Sequence, residues 1–387
     1  MYQLETITYN NVEDISSEEW AQLNCTSNVY FSPEFLKAFE ISNPRIDFKY
    51  IIAFQNNKAV ALGLIQTIEL NIDVILKNIK LANWLKKTIN FFFCNNIIKI
   101  MFHGNIFLSG EHGLFINTEA DKINAIDAIT KEINLIARKT KHLHAIFIKD
   151  FLKESLPITS RFEKHGFAAM QVEPNMILSL DSNWKTFEDY KEALKSKYRV
   201  KVNKADSTSI ALIARLFNES DFATYKGELQ QLYENTIANA NFNAQVLNLN
   251  TYIHLRKIYQ KDFIVKAYFL EDKLVGFLSA LANNNHLDAH FIGLDYSLNK
   301  AHAIYPRILN DYVRIGIEKQ VSHINFGRTA SEIKTTIGAM PISLTCYIKH
   351  KRPFINTIVK FFIKRVQLKE FKQHHPFKNK KEAQKAS

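Results

Sequence analysis

The feature that most limits the folds open to this chain is that its second half repeats the order of signals in its first. In the first half, apolar runs at 50–54 and 59–65 flank the polar turn Gln55-Asn56-Asn57-Lys58, and in the second, runs at 263–269 and 273–278 flank Glu271-Asp272. Both read as β-hairpins. His323-Ile324-Asn325-Phe326 echoes His144-Ala145-Ile146-Phe147, and Gly338-Ala339 echoes Gly166-Phe167. Agreement at three ordered points indicates a duplicated unit. Helical periodicity at 120–138 and 304–319, and a capped start at Ser32-Pro33, alternate with further strands at 176–180 and 290–295. The expected fold class is mixed α/β (α+β), with one unit over 1–180, a second over 181–348 and a basic helix and tail over 349–387.

A chain of 387 residues with 47% hydrophobic content can bury two cores, and 11 Gly and 8 Pro are too few for a linker-rich architecture. Residues 1–20 carry neither a basic nor an apolar leader region, so a cytoplasmic location is expected. Cys25, Cys94 and Cys346 lie far apart with no C-x-x-C spacing, which fits reduced thiols and gives neither a disulfide framework nor a metal site. From Lys349 to Ser387 there are twelve Lys/Arg and two Glu, so ten of the twelve net positive charges belong to the tail. The near-neutral body is not that of a DNA-binding protein. No G-x-S-x-G, P-loop or H-E-x-x-H occurs, which leaves hydrolase, kinase and metalloenzyme readings unsupported.

Several segments read less simply. Residues 70–101 are apolar but interrupted by Lys77, Lys80, Lys86, Lys87 and Lys99, which excludes a membrane span and leaves a buried helix, a lid or a membrane-surface element. A strand is expected at 106–108 and a helical crossing at 151–162. Residues 184–205 read as one basic helix, whose Lys197 and Arg199 either face solvent or bind an anion. After Pro353, apolar positions at helical spacing alternate with lysines; this helix, 353–371, either lies on an anionic membrane surface or packs on the body. Residues 372–387 read as disordered.

Chemistry concentrates in residues 321–347. Ile324 and Phe326 alternate as in a half-buried strand, Gly327 permits a turn, and Ser331 and Lys334 share a helical face beside Arg328. Two fixed cations at a strand end make a candidate ligand site. Asp288, His290 and Asp295 lie on or just after one strand, with Asp288 and His290 on the same face, and are candidates to take a proton from an amine, or else His290 is a strand histidine and Asp295 a turn residue. Tyr296 and Tyr305 are candidate substrate contacts.

The hairpin, the 290–295 strand, the helix at 304–319 and the final F-G-R-x-x-x-E-I-K-x-x-x-G-A resemble GNAT-superfamily acyltransferases. The doubled arrangement, over about residues 25–348, resembles the Fem-type (FemAB-like) peptidoglycan aminoacyl transferases. The resemblance implies two tandem GNAT-like units and transfer of an acyl or aminoacyl group to an amine of a cell-envelope precursor or related small anionic metabolite. It implies that Lys334 lies near the reacting carbonyl; Arg328, Tyr296, Tyr305, Lys197 and Arg199 stand beside it as substrate-binding candidates from the residues themselves. The donor it implies is either acyl-CoA or aminoacyl-tRNA, with no metal. Where coenzyme A enzymes carry a glycine-rich loop, this chain reads Ser297-Leu298-Asn299-Lys300-Ala301-His302-Ala303, which moves weight towards aminoacyl-tRNA. The alternative is a non-catalytic tandem module that binds an envelope polymer or lipid.

Overall fold

Both hairpins close through residues that tolerate the left-handed region. The structure, a computed structural model, describes residues 4–71, 97–239, 245–363, 368 and 370–378. Its strands are β1 (Glu5–Tyr9), β2 (Asp47–Gln55), β3 (Lys58–Asn71), β4 (Ile97–His103), β5 (Leu114–Ile116), β6 (Leu143–Phe151), β7 (Ala168–Ser179), β8 (Leu212–Leu216), β9 (Phe263–Leu270), β10 (Lys273–Asn283), β11 (His286–Leu294), β12 (His323–Asn325) and β13 (Met340–His350). Asn56 and Asn57 (φ 50° and 61°) join β2 to β3, and Glu271 (φ 54°) with Asp272 joins β9 to β10. Such turns match the twist of the strands that they connect.

The chain divides into two compact units. One takes Met1–Glu173, Ala240–Leu247 and Ser343–Leu368; the other takes Pro174–Asn239, Asn248–Ile342 and Lys369–Ser387. In the first unit the strands run β1-β2-β3-β4-β6-β13, with β5 on β3. Successive pairs are antiparallel except β4 and β6, which are parallel. In the second unit β8-β9-β10-β11-β12-β7 shows the same sequence of directions, with β11 and β12 parallel. The second unit's six strands, β7 to β12, follow one another in the chain, whereas β13 comes after all of them and returns to the first unit.

Each unit has its own core. Helix Lys122–Lys139 starts where the Asp121 carboxylate accepts from Ile123 N and Asn124 N, and it buries Ile126, Ile129 and Ile133 with Ile51, Ile65, Met101 and Ile148. Helix Ile304–Glu318 buries Ile304, Ile308, Tyr312 and Ile315 with Val275, Leu278, Leu287 and Ile324. In both, apolar residues at helical spacing meet an apolar sheet face. Asp311 on this second helix is fully buried, where Lys266, Arg307 and Arg314 pair with it and Tyr268 donates to it. These cations hold its carboxyl below the ordinary carboxylate range against the opposing pull of burial.

Several sequence expectations need correction. Residues 106–108 are not a strand, since the chain bends there and the Lys149 ammonium ties down Asn105 O at 2.6 Å and Leu108 O at 2.8 Å. Residue 151 ends β6, and the crossing after it is short helical pieces over 153–164. The basic helix is two helices, Phe187–Ala193 and Ser196–Thr208, because Leu194 is extended and bridges Phe377. Residues 372–378, expected to be disordered, lie along the second unit: Lys195 N donates to Pro376 O, Lys378 N to Ala193 O, and Phe377 packs on Trp184. The helix expected over 353–371 forms as Pro353–Ile363, and the described residues 368, 370 and 371 are not helical. The readings for 72–96, including Cys94 and most of the lysines there, and for 364–367, 369 and 379–387 lie outside the described residues.

Gly338 follows helix Ser331–Thr335 at φ +103°, and a Cβ there would lie 2.3 Å from the Phe377 ring. Gly338→Ala should therefore destabilise the second unit by about 3 kcal/mol through backbone strain and overpacking. Denaturant unfolding checks this, and the cost should shrink in a Phe377→Ala background, where only the backbone term remains.

Candidate functional site

Two departures from regular pairing on β11 create the site. On one edge β10 pairs Leu278 with Ile292 and then Ala280 with Ala289, so Ser279 faces two residues, His290 and Phe291, across a bulge. The buried Ser279 hydroxyl repairs the ladder: it accepts from Phe291 N at 3.0 Å and donates to Phe291 O at 2.8 Å. Tyr252 adds a hydroxyl bond at 2.7 Å. On the other edge β12 pairs only at His286↔His323, Leu287↔Ile324 and Asp288↔Asn325. β11 runs on to Leu294, so it and the chain after β12 part and leave a wedge along residues 289–292, which are half-buried. The first unit differs. There β4 stays paired with β6 through its last residue, His103↔Ile148.

The far wall of the wedge is the turn at 326–330, held from both sides. Asn325 donates to Asp288 Oδ1 at 3.0 Å, and its own Oδ1 accepts from Gly327 N at 3.0 Å. Lys334, 5% exposed, donates to Phe326 O and Arg328 O at 2.7 Å each and to Gly327 O at 3.4 Å. Gly327, Thr329 and Ala330 all have positive φ (64°, 65° and 48°), costly for the two residues that carry a Cβ. Charge-assisted bonds from a buried ammonium to carbonyls offset that strain.

The seven remaining sequence candidates fall in four places. His290 lies on β11 at the wedge. Asp295 caps the helix Tyr296–His302: its carboxylate accepts from Ser297 N and Oγ and pairs with Lys273 at 3.1 Å. Tyr296 is 43% exposed, and Tyr305 is half-buried with its N–H on Asn299. Lys197 and Arg199 flank the buried Tyr198, whose hydroxyl meets His374 at 3.2 Å; His374 N donates to Thr335, the neighbour of Lys334. The helix bearing these two cations is thus joined to the Lys334 turn through residues 370–378. Arg328 projects from the turn, half-buried.

The group that sets the geometry is Asp288, which the sequence marked only for the strand face that it shares with His290. Asp288 is buried, and besides Asn325 it takes His286 Nε2 at 3.1 Å. The imidazoles of His286 and His323 stack with centroids 4.9 Å apart. Their proximity follows from the parallel register, which local periodicity does not reveal. The hydrogen bond to Asp288 pushes His286 above the ordinary histidine value, while burial and then the nearby His286 charge lower His323. Burial takes His290 down to about 4. Asp295 is lowered, first by the Ser297 hydroxyl, and burial raises Tyr305. At neutral pH the wedge therefore presents a neutral imidazole, able to accept a proton but a weak base.

No family model matches the chain, and no curated protein matches it by sequence. Solved structures do match its fold. FemX is similar at 10% identity over 93% of this chain and 100% of that one, with a TM-score of 0.53. A tandem GNAT protein from the clavulanic acid biosynthesis pathway is similar at 9% identity over 90% and 99%, with a TM-score of 0.51. The C-terminal domain of a putative lysylphosphatidylglycerol synthetase from Agrobacterium fabrum is similar at 10% identity over 89% and 95%, with a TM-score of 0.50. The chain has the tandem GNAT, Fem-like fold.

Histidine titration by NMR checks the electrostatics. His286 should titrate above the ordinary value of 6.5, and His323 below it; His290 should stay neutral down to about pH 4. The signs oppose: His286 stabilises the fold below pH 6.5 and loses that contribution as pH rises through its raised value, while His290 and His323 cost stability as pH falls below 6.5. An ordinary midpoint for His290 would show that the wedge is open to water.

Proposed function

We propose that this protein is an N-acyltransferase that moves an acyl or aminoacyl group to an amine of a cell-envelope precursor or related small anionic metabolite, with the wedge of the second unit as its site. The observation that carries this reading is the parting of β11 and β12 beside the Lys334 turn. An extended donor can lie along the open edge of residues 289–294, its carbonyl beside the turn. Lys334 has three donors. Two make short bonds to Phe326 and Arg328, and the third reaches Gly327 O at 3.4 Å, the weakest of these bonds and the one that an oxyanion would replace. A preorganised ammonium in a site shielded from water stabilises such charge strongly. His290 takes the amine proton, with Asp295 as the second candidate, and Arg328, Lys197 and Arg199 attract an anionic substrate while Tyr296 and Tyr305 bound it.

Between the two donors, aminoacyl-tRNA is favoured over acyl-CoA. The helix after β11 is where a pyrophosphate would dock, and the Asp295 carboxylate already accepts from Ser297 N and the Ser297 hydroxyl there, which would repel a second anion. Work at the inner face of a membrane, through 353–371, is part of the same reading. The alternative, a non-catalytic module that binds an envelope polymer or lipid, gains support from Lys334 itself, because its carbonyl bonds suffice to explain it as a fastener of the turn.

Turnover separates the two. The full-length chain, offered acetyl-CoA or aminoacyl-tRNA with an amine acceptor, should transfer the acyl group. Lys334→Ala should lower the rate by about 10²–10³ with a retained unfolding transition. Near-normal turnover in that variant would remove Lys334 from the chemistry, and no transfer from either donor would favour the binding module.

A further inference from the structure

Helix Pro353–Ile363 is apolar on two faces, one of them, with Ile355, Val359 and Ile363, half-buried and the other turned outward. Its buried residue is Asn356, which donates to Gly166 O at 2.9 Å and accepts from His350 N at 2.8 Å. Phe354, Ile358, Phe361 and Phe362 are instead 79%, 42%, 54% and 52% exposed. Offsets of four, seven and eight residues place these four on one stripe. Packing through Asn356, Val359 and Ile363 uses one face of the helix and does not explain the second, outward apolar face.

Charge identifies what covers the stripe. Between Glu332 and Glu370 the sequence holds no acidic residue and eight Lys/Arg. Of these, Arg352 is exposed at the start of the helix and Lys360 half-exposed within it. A second copy of the chain seated on the same face would bring two such basic, acid-free segments together, at a cost. An anionic surface suits them. Eleven residues of helix extend about 16 Å, too short to span a bilayer, and no described helix is long and apolar enough to cross one.

We propose that this helix docks in the plane of an anionic lipid bilayer, with Phe354, Ile358, Phe361 and Phe362 in the headgroup boundary and the basic, acid-free stretch of chain around it drawn to the lipid phosphates. The inference deepens the membrane location in the reading above and rests on that reading for the identity of what is modified there. It would bring the protein to lipid-linked or surface-bound acceptors instead of leaving encounter to diffusion in three dimensions.

The test is partition of the full-length protein into vesicles of phosphatidylcholine with phosphatidylglycerol, against phosphatidylcholine alone, at low and high salt. Binding should require the anionic lipid and fall with salt. Phe361→Ser with Phe362→Ser should weaken it at least about tenfold, since two exposed apolar side chains leave the interface. Those residues are exposed, so the variant should unfold at the same temperature. Equal partition into both vesicle types, no binding at low salt, or unchanged binding by the variant each overturns the proposal. So does a dimer that the variant dissociates in the absence of vesicle binding, which would make the stripe a self-interface. None of these readouts needs turnover, so a failed transferase assay leaves this result standing.

Discussion

The site depends on one side chain, Asn325, that stops a strand and starts a turn. As the last residue of β12 to pair with β11, it spends its amide on Asp288 and its carbonyl on Gly327 N. The first bond fixes the parallel register, and the second directs the chain away from β11. Beyond this point the turn has to be held by something other than the ladder, and the Lys334 ammonium supplies that from the following helix. Buried backbone carbonyls need partners, and a residue that can satisfy several at once stabilises a turn with repeated positive φ. Ser279 does the equivalent on the opposite edge of β11. A parted strand pair is thus maintained by three satisfied polar clusters, not by missing contacts.

The same order of strand directions in the two units shows what has been specialised. Both have an antiparallel run, a parallel pair and an antiparallel closing strand. In the first unit the parallel pair stays together to the end of β4, and the loop that follows it is tied down by Lys149. Only the second unit, among the described residues, separates its pair. That asymmetry is the reason for giving the chemistry to one unit and a supporting role to the other.

Much of this was legible in the sequence where the signal is local. The Asn56-Asn57 turn, the Ser32-Pro33 cap and the apolar period of Ile304–Glu318 each follow from a few adjacent residues, and the structure contains all three. The likeness to tandem GNAT and Fem-type proteins was carried by Gly327, Lys334 and Gly338 and holds at the level of fold. What escaped depends on partners far away in sequence. Leu194 breaks a helix because of Phe377, residues 106–108 lose a strand because of Lys149, and residues 372–378 are ordered by backbone groups near 193–195 and by Thr335. Asp288 and His286 drew no attention as a pair with Asn325 and His323, because a parallel register across a long helical connection has no trace in local spacing.

The most direct measurement is backbone hydrogen exchange on the full-length chain with and without a saturating donor, acetyl-CoA and aminoacyl-tRNA each in turn. The account requires that the donor which supports turnover slow exchange at residues 289–294 and 326–330 and leave 97–103 and 143–151 unchanged. Protection confined to those first-unit strands, with the edge of β11 exchanging as before, would contradict it.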